Sequence, residues 1–132
     1  MADLIAFDLV SPERLLLSEQ AEMVTVPGSE GEFGVLAGHE PVISTLRPGV
    51  IDIRGGTEVS GRFFVLGGFV EVNPLKITVL AEEAIPMEQV NQAVLDQRIE
   101  NAREDILLAK TEADRAKAVE FLDNLTLLRT SL

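Results

Sequence analysis

The sequence has 132 residues and a formal charge of −11, with 46% hydrophobic and 25% charged residues and no cysteine. That length suits one domain, or one plus a small appendage, with enough apolar material for a sizeable core and too little charge for wholesale disorder. An acidic surface repels phosphate backbones and anionic lipid heads, so nucleic acid is excluded as an expected partner; without cysteine there is neither a disulfide framework nor a cysteine-based metal site.

The first residues, MADLIAFDLVSPERL, carry no basic stretch and no long apolar run, so no signal or transit peptide is expected. Nowhere do about 18 apolar residues run together, so any membrane association is expected to come through partners. Leu4 to Val10 reads as an apolar strand stopped by Ser11-Pro12, and Arg14 to Ser18 is a second short apolar run. Ala21 to Val26 alternates between two faces and ends at Pro27-Gly28. Gly28, Gly31 and Gly34 then sit three apart around Glu30 and Glu32, a spacing that suggests a tight, shaped loop rather than a flexible spacer. Gly38-His39-Glu40-Pro41 and Arg47-Pro48-Gly49 turn the chain twice, and the β-branched runs Val42 to Leu46 and Val50 to Ile53 fit strands.

Gly55-Gly56 is a candidate hairpin turn leading into Thr57 to Ser60. Phe63 to Leu66, Phe69 to Val72 and Leu75 to Leu80 complete the series, with Gly67-Gly68 and Asn73-Pro74 read as breaks. Many short strands with turn residues between them imply a β-sandwich or barrel over 1–86; periodicity alone does not separate the two.

The pattern changes at Pro86. Met87 to Leu108 has no glycine or proline, and Leu95, Ile99, Ala102, Ile106 and Ala109 recur on one helix face. Thr111 and Asp114 fit a capping box that opens a second helix, in which Ala118, Leu122 and Leu125 form a stripe with Phe121 and Leu128. Residues 87–132 are therefore expected to form an antiparallel two-helix hairpin, with Ala93, Ala102, Ala109, Ala116 and Ala118 as seam positions. Mainly β plus α is the fold class.

Little in the chain supports catalysis. His39, the single histidine, has Ser29 and Ser44 nearby in sequence but no nucleophile-elbow pattern, and reads as a structural turn residue. Gly28-Ser29-Glu30-Gly31-Glu32-Phe33-Gly34 lacks the lysine of a phosphate loop and the hydroxyl residue that follows it, and two carboxylates are too few for a calcium loop. Glu100, Glu104 and Asp105 fit a solvated helix face, so no metal site is expected.

The ordered set of segments PGSEGEFGVLAGHEP, LRPGVIDI and FVLGGFVEV resembles the epsilon subunits of bacterial and chloroplast F-type ATP synthases. The resemblance implies two packed sheets, a non-catalytic place in the rotating central stalk, and no cofactor. It implies a gamma subunit and a ring of c subunits as partners of the sandwich, with Gly28 to Gly34 facing the ring and His39 in a turn near the stalk interface. It also implies alpha and beta subunits within reach of the C-terminal helices, and a peripheral place on the cytoplasmic face of the bacterial inner membrane. Glu112, Arg115 and Ala116 resemble the acidic-x-x-Arg-Ala signature by which some epsilon subunits bind ATP. The acid there is normally aspartate after isoleucine or leucine, whereas here Glu112 follows Thr111, and carboxylates at a helix N-terminus explain the same residues. A free-standing sandwich module with a helical dimerisation arm is the rival reading.

Overall fold

The computed structural model describes residues 3–55 and 61–130. Eight strands come first: β1 (Ile5–Val10), β2 (Leu15–Ala21), β3 (Met23–Gly28), β4 (Gly31–Val35), β5 (Val42–Thr45), β6 (Gly49–Arg54), β7 (Gly61–Val72) and β8 (Lys76–Pro86). Two helices follow, α1 (Gln92–Leu108) and α2 (Glu112–Thr130). The chain divides into two compact units, Met1–Met87 and Glu88–Leu132.

Hydrogen bonds join the strands in the order β2-β1-β8-β7-β6-β3-β4, with β5 paired to β7 off that path. The registers show how this one sheet becomes two layers. β1 pairs in parallel with β8 over Lys76 to Leu80, and β5 pairs with β7 over Phe69 to Val72. β6, in contrast, pairs with β7 only over Gly61 to Val65. One layer is thus β2, β1, the first half of β8, the second half of β7, and β5. The other is the remaining halves of β8 and β7 with β6, β3 and β4. Ile5, Phe7 and Leu9 of β1 join Val24, Val26, Ile51 and Ile53 from the opposite layer in one buried cluster, so the expected β-sandwich is present.

The crossing point is Gly67-Gly68. Read from the sequence as a break, these residues instead lie inside one continuous twelve-residue strand. Both glycines take positive φ, 68° and 112°, which L side chains resist. Two such residues in succession turn the strand over: Phe63 and Val65 face the core before them, Val70 and Val72 after them. A Cβ on Gly68 would overlap the Leu80 carbonyl oxygen and come within 2.9 Å of the Ala81 Cα. The turn predicted at Gly55-Gly56 and the run from Thr57 to Ser60 lie outside the described residues beyond Gly55, which itself has φ 69°.

In the second unit, Asn91 rather than Met87 starts α1. Its side-chain carbonyl accepts the Val94 N–H at 3.0 Å, and Met87–Gln89 forms only a single 3-10 turn. Thr111 Oγ1 accepts the Asp114 N–H at 3.0 Å, the hydroxyl half of the expected capping box. Leu95, Ile99, Ala102 and Leu125 are buried, and Arg129 near the end of α2 bonds Asp96 near the start of α1 at 2.9 Å, so the helices run antiparallel. Ala93 and Ala116 are exposed and do not serve the seam. Each lies two residues, about 200° of helix rotation, from the buried Leu95 or the half-buried Ala118.

Two stability tests follow from the sandwich. Gly68→Ala should cost at least about 3 kcal/mol in urea unfolding, because it combines a strained φ with backbone overlap; a cost under about 1 kcal/mol would show that the bend tolerates a side chain. On the outer face of β1, Lys76 lies 2.8 Å from Asp8, and Ser18 donates its hydroxyl at 2.7 Å. The Lys76 bond holds the Asp8 carboxyl below the usual carboxylate range, with Ser18 helping and partial burial opposing. A carboxyl depressed in the folded state adds stability above its unfolded value and loses it as pH falls through the folded one. Asp8→Asn should therefore cost about 0.5–1 kcal/mol at pH 7, discounted because Lys76 is 46% exposed, and almost nothing in strong acid. Equal costs at both pH values would contradict this.

Candidate functional site

The segment from Gly28 to Gly34, expected as a loop, is a β-hairpin. Register pairs from Val24↔Val35 to Gly28↔Gly31 zip β3 to β4 and leave only Ser29 and Glu30 as the turn. Neither turn residue takes positive φ; Gly31, at φ 136°, completes the reversal. Ladder pairing reaches further than the glycine spacing suggested, and Gly28 and Gly34 serve packing instead: a Cβ on Gly28 would lie 2.7 Å from the Phe33 ring, and one on Gly34 would strike the Met23 methyl.

Beyond Thr25 the ladder to β6 ends, and the buried Pro27 and Gly28 are met instead by the residues between β5 and β6. Pro27 has no N–H to offer, and its carbonyl accepts the Arg47 N–H at 2.9 Å. Gly49 passes beneath it, where a Cβ would come within 2.8 Å of the Pro27 Cβ. Arg47 Nε adds a bond to the Gly28 carbonyl at 3.0 Å. Ser44 Oγ accepts the Ser29 N–H at 3.2 Å and lies 3.3 Å from Ser29 Oγ. The sequence signal for these supports was thin. Ser29 belongs to the glycine-rich segment and, like Ser44, is a hydroxyl near His39 in sequence, while Arg47 is only part of a turn.

His39 sits where its turn places it. Its N–H donates to the Leu36 carbonyl at 3.1 Å, and the Gly38 N–H ties the same turn to the Pro74 carbonyl at 2.8 Å. His39 Nδ1 lies 2.7 Å from the Glu40 carbonyl oxygen; since that oxygen only accepts, Nδ1 carries the proton. The ring stands 6.3 Å from Phe33, tilted by 35°. Together the hairpin from Gly28 to Phe33, His39, and Val42 to Ser44 of β5 line a cleft of about 590 Å³. Ser29, Glu30 and Glu32 are exposed there, Phe33 and His39 half-buried.

This geometry favours contact over chemistry. The Ser44 hydroxyl donates to the Thr45 carbonyl at 2.9 Å, and among the described residues no hydroxyl bonds the His39 ring. Nor does any group of three or more histidine, aspartate or glutamate side chains stand ready for a metal among the described residues. Among them, too, no helix is long and apolar enough to cross a membrane. Glu112, Arg115 and Ala116 fall on the exposed first turn of α2, far along the chain from this cleft and in the other compact unit.

Residues 4–87 match the family model of the ATP synthase delta/epsilon chain β-sandwich domain, well over half of the chain. The chain belongs to this family. It is 50% identical over 129 residues to the ATP synthase epsilon chain of Parvibaculum lavamentivorans, covering 98% of both chains. Among solved structures, it superimposes with a TM-score of 0.70 at 28% identity on a chain of the Euglena gracilis mitochondrial ATP synthase OSCP/F1/c-ring assembly, covering 95% of this chain and 81% of that one. The central stalk/c-ring structure of the Tetrahymena thermophila mitochondrial ATP synthase shares the fold, with a TM-score of 0.66 at 17% identity over 97% and 98% of the two chains.

Proposed function

We propose that the chain is the non-catalytic epsilon-type subunit of an F-type ATP synthase rotor, whose sandwich, 1–86, joins a gamma subunit to the c-ring. The observation that carries this reading is the presence of two chemically distinct surfaces on one rigid sandwich. The acidic tip of the β3–β4 hairpin is one of them, with Glu30 and Glu32 exposed beside the cleft. Facing the ring, these carboxylates would meet basic side chains. Exposed ion pairs are worth only about 0–1 kcal/mol each, so they set register more than affinity.

The second surface crosses the outer face of the other layer. Thr45, Phe69, Leu80, Val10 and Leu15 are successive cross-strand partners on five adjacent strands. They form a row about 19 Å long at about 4.8 Å per strand. Phe69, Leu80 and Leu15 are 52%, 47% and 55% exposed. An apolar row left half-uncovered on a sheet face is a surface that gains from burial, at about 25 cal/mol per Å². This row is the seat for gamma, and the subunit is peripheral to the cytoplasmic face of the inner membrane, held there by its partners.

The helical domain, 87–132, regulates hydrolysis by the alpha and beta subunits weakly or not at all. From Glu112 onward it carries four acids, Glu112, Asp114, Glu120 and Asp123, against three bases, Arg115, Lys117 and Arg129, a poor match for an acidic docking segment on beta. Glu112, Arg115 and Ala116 serve as the opening turn of α2 rather than as an ATP site.

Two measurements test these assignments. Phe69→Asp combined with Leu80→Lys should weaken binding to purified gamma by about tenfold or more while leaving the fold intact, because both side chains are half-exposed and the new charges on these paired residues are opposite. Unchanged affinity would remove the row as the gamma seat. Truncation before Met87 in the assembled enzyme should leave the hydrolysis rate within about twofold of the intact complex, less than 0.5 kcal/mol of activation free energy. A large rise would show that the tail inhibits after all.

A further inference from the structure

The tip of the β3–β4 hairpin is paired up to Gly28↔Gly31, but its own strands are not its only support. Both residues of its two-residue turn keep negative φ, whereas the turns that match the twist of paired strands place positive φ at one or both central positions. β3 has also left its neighbour β6 after Thr25. Held by the β3–β4 ladder alone, such a turn would be less firmly placed. The further contacts that hold it come from the β5–β6 corner.

We propose that Ser44 and Arg47 are positioning residues that clasp this tip and hold Glu30 and Glu32 ready for the c-ring, an inference that rests on the c-ring reading above. The hydrogen bonds have a definite sense. Ser44 spends its hydroxyl proton on the Thr45 carbonyl at 2.9 Å, which leaves its oxygen as the acceptor for both the Ser29 N–H and the Ser29 hydroxyl. Arg47 grips the preceding two residues, its main-chain N–H on the Pro27 carbonyl and its side-chain Nε–H on the Gly28 carbonyl. The second of these is charge-assisted and part-buried, so it is the stronger. A bridge between Gly28 and Leu46 closes the set.

The clasp is itself anchored at the bend of the sandwich. Leu46, between Ser44 and Arg47, donates its N–H to the Gly68 carbonyl at 2.9 Å. A sideways load on Glu30 or Glu32 therefore passes through Ser29 and Gly28 to the Ser44–Arg47 corner, and from there to the residue where β7 turns between the layers. A hairpin supported only by its own ladder would lack that path.

The test uses the full chain bound to gamma, with purified c-ring as the probe. Ser44→Ala and Arg47→Met, the latter keeping the aliphatic stem, should each raise amide exchange at Ser29 by about tenfold and weaken c-ring binding by about three- to tenfold. Gamma affinity should not change, which a merely structural loss would not spare. Ser44→Thr, which keeps the hydroxyl, should restore both readouts. A double variant Glu30→Gln, Glu32→Gln separates this inference from the reading beneath it. If the double variant loses the ring while Ser44→Ala and Arg47→Met bind it as the parent does, the clasp is overturned and the c-ring reading stands. If the double variant also binds as the parent does, the c-ring reading falls and the clasp with it.

Discussion

Two glycines at positive φ in the middle of a long strand are the constraint on which the sandwich depends. At Gly67-Gly68 the β7 backbone turns over without surrendering its ladder to β8, whose register runs on from Phe63↔Pro86 to Val72↔Ile77. A sheet that would otherwise expose one apolar face folds onto itself and buries both halves against each other. The close approach of Gly68 to Leu80 and Ala81 leaves no space for a side chain there, so sequence and topology are coupled at a single position. From that position Leu46 draws in the β5–β6 corner, and the corner draws in the hairpin tip.

The proposed role in a rotor asks for a stiff block with two faces that do not compete. Stiffness follows from a close-packed interior in which β-branched residues from both layers interdigitate. The separation of the two faces follows from the registers. The apolar row crosses the outer side of the layer containing β1, while the acidic tip belongs to the layer containing β3. The two also use different physics: burial of apolar area on one, and exposed charge on a braced backbone on the other. Such a division lets one contact be tight and the other well registered.

Much of this was legible in the residues, because the apolar run of β1, the period-two alternation of β3 and the period-3.6 stripes in α1 and α2 are local signals. Where reading failed, the cause was non-local. Gly67-Gly68 looks like a break in any strand, and only pairing with β8 shows that the ladder continues through it. The glycines from Gly28 to Gly34 signalled a tight loop, yet two of them exist to admit Phe33 and Met23, contacts that spacing alone does not reveal. Ser44 and Arg47 carry no motif; their meaning depends on the fold bringing residues fifteen and nineteen positions apart into hydrogen-bond range. The apolar row was hidden for the same reason, since its five members come from five separate strands. Asn91 is the exception, a local capping signal masked by a helix-forming composition that begins earlier, at Met87.

The most direct test of the account is a pull-down from solubilised membranes with the full chain as bait and mass spectrometry of what co-purifies. The account predicts stoichiometric recovery of a gamma subunit, with c, alpha and beta following as the assembled rotor and head. Recovery of none of them, with gamma shown to be present and soluble in the same extract, would contradict the rotor role and leave a sandwich whose two surfaces serve some other contact.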